Sequence, residues 1–195
     1  MNLVFWGTQA HCGASANMYA VAGMLEMMYD RQTAARGDGN GPRRFRLRDA
    51  GSGTLPGKGD VWKQADLVII NLSRERESIE RFLDGHLIFA RRSFVLLSSF
   101  PGEGTGSVKE LVYRYRLGED ACGMMRENAA YYLAAGRGKS REFVRQEYKR
   151  PGSLRNEQFL RELQRTAERI VRLADCRAAE RGVNAHSTQT NRKIR

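Results

Sequence analysis

Cysteine and histidine are both scarce in this chain. Three cysteines, Cys12, Cys122 and Cys176, form no CxxC pair. An odd number at wide spacing excludes a disulfide framework and a cysteine zinc site. The three histidines, His11, His86 and His186, stand far apart, so neither a metal cluster nor a Ser-His-Asp constellation is visible. No apolar run reaches the roughly 18 residues that a membrane span needs, and the opening residues lack the basic stretch of a secretory signal. These absences predict a soluble, cytoplasmic protein in a reducing compartment, with peripheral membrane contact left open.

What is abundant is positive charge. The 195 residues carry a formal net charge of +11, which favours anionic partners such as nucleic acid, acidic lipid or an acidic protein without choosing among them. Between residues 140 and 195 there are 14 Lys or Arg against 7 Asp or Glu. The length suits one substantial core plus an appendage. The expected division is an α/β domain over 1–150, an amphipathic helix over 151–181 and a basic, disordered tail over 182–195.

The hydrophobic pattern predicts alternating strands and helices. "NLVFW" is a short apolar run that stops at Gly7, and helix-compatible residues follow Gly13. "ADLVIINLS" (65–73) and "SFVLLSSF" (93–100) are continuously apolar and β-branched, as strands covered on both faces are. Between them "RERESIERFLDGHLIFA" reads as an amphipathic helix with a break at Gly85. "GTGSVKELVYRYRL" reads as a helix capped by Ser107. A short strand is expected at Cys122 to Met125, then helical material interrupted at Gly136 and Gly138. From Asn156 to Glu180 a long helix places Phe159, Leu160, Leu163, Ala167, Ile170, Val171 and Ala174 on one stripe. Residues 31–60 read mostly as loop, with "FRLRDA" as one edge strand at most, because Arg44, Arg46 and Arg48 share a face. The order implies a three-layer, mainly parallel, doubly wound sheet with a C-terminal helix.

The loop between the first strand and helix carries the chemistry. Against GxxxxGK[ST] it does not fit, since five residues separate Gly7 from Gly13 and Ala14 holds the lysine position. Aligned with the deviant loop KGGxGKT, it resembles the ParA and MinD ATPases through Gln9, Ala10, His11, Cys12, Gly13, Ala14 and Ser15, keeping the last glycine and the hydroxyl. "DLVIIN" is similar to that family's "DYVIID", with Asn71 in place of the Walker B aspartate. "MMRENAAYYLAAGRGKSREF" looks like its later strand-to-helix turn, with Ala134 and Gly138 in the matching places.

The resemblance implies a P-loop NTPase fold and a degenerate site formed by Gln9, His11, Cys12, Gly13, Ala14, Ser15, Ala16 and Asn71, with ATP or ADP and Mg²⁺ as the ligand. Backbone N–H groups from Cys12 to Ala16 could still cradle a phosphate. Without the lysines and the carboxylate, hydrolysis is not expected. The implied role is a pseudo-ATPase, of the TadZ and CpaE type, that positions a Tad/Flp-type pilus or secretion assembly through a protein partner and possible homodimerisation. Two alternatives stand beside it. One is a DNA-binding partition or regulatory module using the basic C-terminal helix. The other is a nucleotide-binding switch, or an enzyme acting on a phosphorylated ligand, with His11 and Asp49 or Asp66 as its titratable pair. Cys12 at a helix N-terminus could be a reactive thiol, or a small residue suited to a tight turn.

Overall fold

The computed structural model describes residues 1–10, 12–35, 45–53, 62, 64–98 and 107–192. Five strands form one all-parallel sheet: β1 (Asn2–Gly7), β2 (Arg46–Ser52), β3 (Leu67–Ser73), β4 (Phe94–Ser98) and β5 (Cys122–Met125). Among the described residues six α-helices accompany them: α1 (Ala14–Ala35), α2 (Arg76–Arg91), α3 (Val108–Tyr115), α4 (Ala129–Gly136), α5 (Ser140–Lys149) and α6 (Leu154–Arg192). The strand order is β2-β1-β3-β4-β5. This is the doubly wound order of flavodoxin-like sheets, in which ligands sit above the β1/β3 boundary where the winding reverses.

Strands β1, β3 and β4 alternate between two cores, which is why their hydrophobic runs are unbroken. Leu3, Phe5, Leu67, Ile69, Phe94, Leu96 and Met125 face α1, α4, α5 and α6. Val4, Trp6, Val68, Ile70, Leu72, Val95, Leu97 and Cys122 face α2 and α3. Three layers result, as the pattern predicts. Helices α1 and α5 lie close because Gly23 leaves room: a Cβ there would stand 3.0 Å from the Arg141 carbonyl oxygen. The Arg141 guanidinium grips the Glu26 carboxylate across the same contact. Gly123 plays the equivalent part under α6, where a Cβ would meet the Phe94 ring at 2.8 Å and Thr166 at 3.2 Å.

Several local expectations hold. Ser107 caps α3 by accepting from the Glu110 N–H, and α4 ends at Gly136 before α5 begins at Ser140. The expected break near Gly85 is a kink at His86, whose φ of −135° is non-helical. Two expectations change. The stretch 31–60 is not mostly loop where it is described: α1 runs to Ala35 and β2 covers Arg46–Ser52, while 36–44 and 54–60 lie outside the described residues. Its arginines are tolerated because β2 pairs only with β1, leaving Arg46 and Arg48 exposed while Leu47 packs on the α1-side core. The last helix continues past Glu180 to Arg192, through residues assigned to the tail.

Among the described residues, no helix is long and apolar enough to cross a membrane.

Candidate functional site

The site follows from how β1 ends. Gly7 closes the strand, Thr8 N–H donates to the Asn71 carbonyl at 3.1 Å, and the chain turns at Gly13 with φ +79°, a left-handed conformation that glycine adopts without strain. Helix α1 therefore begins at the carboxyl edge of the sheet, with its free N–H groups and positive dipole end beside the end of β2 and the α4–α5 turn. A cavity of about 350 Å³ opens there, lined by Gln9, Cys12, Gly13, Ala14, Ser15 and Ala16 from the loop and helix start. Gly51 and Ser52 from the end of β2, and Gly138 and Ser140 from the α4–α5 turn, close its other sides.

Six of the eight expected site residues thus come together. His11 lies outside the described residues. Asn71 is not in the cavity lining. It is fully buried, receives a hydrogen bond at 3.0 Å from Asn17 Nδ2, and donates to the Trp6 and Ile69 carbonyls. Asn17 in turn accepts from the Tyr131 hydroxyl at 3.1 Å, and Ser140 donates to the same phenol. Burial pushes the Tyr131 hydroxyl up and keeps it neutral. Asn71 therefore ties β3 to β1 and α1 rather than holding a metal.

The loop also departs from the expected open cradle. Cys12 is only 2% exposed. Its sulfur sits over Gly7, near the backbone N–H groups of Thr8, Gln9, Cys12 and Ala14, which favour the thiolate. Burial raises the thiol above its ordinary value despite these donors, so Cys12 is a filler of the turn and not a ready thiolate.

Asp49 is the group whose position matters most. Leu47 packs on the α1 side, so two residues later Asp49 is on the same face and meets the start of α1. Its carboxylate accepts from the Ser15 hydroxyl and, at 2.8 Å, from the Gly51 N–H. Asp66 is excluded from the site, because it accepts from the Asn2 N–H at 2.6 Å at the opposite end of the sheet. Sequence reasoning named Asp49 only as one of two partners for His11. Its pairing with Ser15 depends on the edge strand that the arginine-rich pattern obscured. Among the described lining residues there is no lysine or arginine, nor does any group of three His, Cys, Asp or Glu form a metal cluster among the described residues.

The basic helix is engaged with its own chain. Arg161 pairs with Glu157, Arg165 with Glu162 and Arg172 with Asp120, while Arg169 and Arg177 donate to the Cys122 and Arg92 carbonyls.

No family model and no curated protein sequence matches the chain. Two solved structures are similar at low identity. One is described as YwlE arginine phosphatase, a cysteine-to-serine mutant with phosphorylated active site serine: 13% identity, covering 89% of this chain and 99% of that one, with a TM-score of 0.37. The other is a YwlE mutant from Bacillus subtilis: 12% identity, 87% and 98% coverage, and a TM-score of 0.37.

These findings correct the expected membership of the ParA/MinD family. Neither of these two structures is described as a ParA or MinD ATPase, and no family model supports the P-loop resemblance. The pseudo-ATPase role in pilus or secretion assembly, which rested on that resemblance alone, is withdrawn with it. The sheet is a Rossmann-like, all-parallel one.

Proposed function

We propose that the protein binds a phosphorylated small molecule, a nucleotide such as ATP or ADP within that class, in the cavity between the N-terminus of α1, the end of β2 and the α4–α5 turn, with a Mg²⁺ ion shared between ligand and protein. The observation that carries this reading is the Ser15–Asp49 pair at the N-terminus of α1. A phosphate placed against the Ser15 and Ala16 amides gains from the helix dipole, but no cationic side chain lines the cavity among the described residues, and the Asp49 carboxylate, which stands behind the lining residues Ser15 and Gly51 and is not itself in the lining, opposes the charge. A hard divalent cation removes that conflict. Mg²⁺ is ordinarily held by one or two carboxylates plus the substrate's phosphates, keeping several waters, and the Asp49 carboxylate and Ser15 hydroxyl are oxygen donors of that kind.

The residues therefore fit a ligand-borne Mg²⁺ better than a resident one. Bound there, the ion supplies charge neutralisation. Ser15 and Asp49 hold it, Ser52 and Ser140 offer hydroxyls to the ligand's polar atoms, and Tyr19 walls the opening. No activated nucleophile accompanies them among the described residues, since burial disfavours the Cys12 thiolate.

Calorimetric titration of ATP and ADP, with and without Mg²⁺, tests this reading. Binding is expected only with Mg²⁺ present, and Mg²⁺ alone is expected to give no heat. Absence of binding at millimolar nucleotide with Mg²⁺, or equal binding without the ion, overturns it.

A further inference from the structure

We propose that the other face of the sheet carries a second pocket, independent of the phosphate crevice, for a planar aromatic carboxylate. Trp6 follows Phe5 in β1, so its side chain crosses to the α2 layer while the loop after Gly7 covers the strand's end. There a cavity of about 310 Å³ is lined by Trp6, Thr8, Gln9, Gly53, Ser78, Arg81, Phe82 and His86. The volume falls within the range of small-molecule sites.

The wall of this pocket is aromatic and directional. Trp6 and Phe82 are buried with ring centroids 5.8 Å apart, and the His86 ring stacks on Phe82 at 5.1 Å with planes 13° apart. The stack depends on the kink in α2. At His86 the backbone leaves helical geometry, and the Nδ1 atom lies 3.2 Å from the Phe82 carbonyl oxygen, which fixes the ring over its neighbour. His86 is exposed, so a second planar ring can continue the offset stack, an arrangement favoured over contact with a saturated ring of equal size.

The charge is equally specific. On α2, Arg76 pairs with Glu80, and Glu80 also takes Arg114, so those cations are committed. Arg81 lines the pocket, is exposed, and has no ion-pair partner among the described residues. A guanidinium presents a planar fork matched to a carboxylate, and beside an aromatic wall it selects a ring that bears one. Gln9 lines both cavities and accepts from Ser78 at 3.2 Å, so it forms the partition between them.

The test uses 2-naphthoate as probe, with cyclohexanecarboxylate as the non-planar anion and 2-naphthalenemethanol as the uncharged ring, titrated calorimetrically into the full chain. The proposal expects 2-naphthoate to bind at least tenfold more tightly than either control. Arg81→Gln should weaken it tenfold or more, and Ser78→Trp, which fills the cavity, should abolish it. Both variants are checked by circular dichroism for a native fold. Ser15→Ala, in the other cavity, should leave naphthoate binding unchanged. Failure of naphthoate to bind at millimolar concentration overturns the proposal, as does an undiminished affinity in a folded Arg81→Gln protein or equal binding of cyclohexanecarboxylate. None of these outcomes bears on nucleotide binding, which is read separately.

Discussion

The Cys12 sulfur rests on Gly7: a Cβ added to residue 7 would stand 2.5 Å from Sγ and 3.1 Å from the Ser52 Cβ. Glycine is required here by close approach, since its φ is not among the positive ones. Gly7→Ala should therefore destabilise the protein by about 1–3 kcal/mol, the usual cost of overpacking. Cys12→Ala in the same chain should recover most of that loss, because it removes the atom that is struck. Urea unfolding of the two single variants and the double variant gives the coupling directly. Additive losses would mean that Ser52 or the Gln9 carbonyl, and not the sulfur, sets the limit.

At the crevice, Asp49→Asn keeps an Oδ1 acceptor for the Gly51 N–H, turns an Nδ2 donor to the Ser15 hydroxyl oxygen in place of the carboxylate acceptor, and removes the charge. The variant should lose the Mg²⁺ requirement for nucleotide binding and bind the Mg²⁺ complex at least tenfold more weakly. Its stability without ligand should stay within about 0.5 kcal/mol of the parent, as for exposed sites generally. Thermal shifts with ATP, with and without Mg²⁺, measure both effects. A variant that keeps its Mg²⁺ dependence would place the ion elsewhere.

Much of this was legible in the sequence. Continuous apolar runs identify β3 and β4 as covered strands because parallel strands are buried on both faces. Ser107, Gly85 and Gly136 mark ends and breaks through chemistry that is local to them. The strand order was not legible, since the pairing of β2 with β1 depends on contacts that no periodicity encodes. For the same reason Asn71 misled: at the end of an apolar strand it resembles a Walker B position, whereas its buried partners, Asn17 and the carbonyls of Trp6 and Ile69, come from distant segments and from its own strand. Cys12 is a similar case, because only the folded loop shows the amides near its sulfur.

The Asn71 assignment has its own test. Asn71→Asp replaces two N–H donors by a carboxylate facing the Trp6 and Ile69 carbonyls in a fully buried position. An unpaired buried charge of this kind should cost about 3–5 kcal/mol at neutral pH. Its folded pKa must be raised by burial, so the deficit should shrink as the pH falls and the carboxyl is protonated. Denaturant unfolding at pH 5 and pH 8 distinguishes this from a site that welcomes a carboxylate, in which the variant would be as stable as the parent at both.

Thiol chemistry supplies the remaining prediction. Cys12 and Cys122 are buried while Cys176 is exposed. Burial raises both buried thiols, pushing Cys122 up to about 12 against a neighbouring Arg169 that pulls the other way. Iodoacetamide at pH 8 should therefore modify Cys176 quickly and the other two only as fast as the fold opens. The same shift fixes the sign of the alkaline response. Because the folded pKa lies above the unfolded one, the stabilisation from Cys122 is complete below about pH 9 and is lost as the pH rises from there towards 12, at up to ~1.4 kcal/mol per pH unit, and Cys12 acts in the same direction. Cys122→Ala should flatten that alkaline slope while lowering stability at pH 7, because it leaves a cavity in the α2-side core. A slope unchanged in the variant would assign alkaline unfolding to another group, and Tyr131, whose neutral phenol is buried against Asn17 and Ser140, is then the residue to replace by phenylalanine.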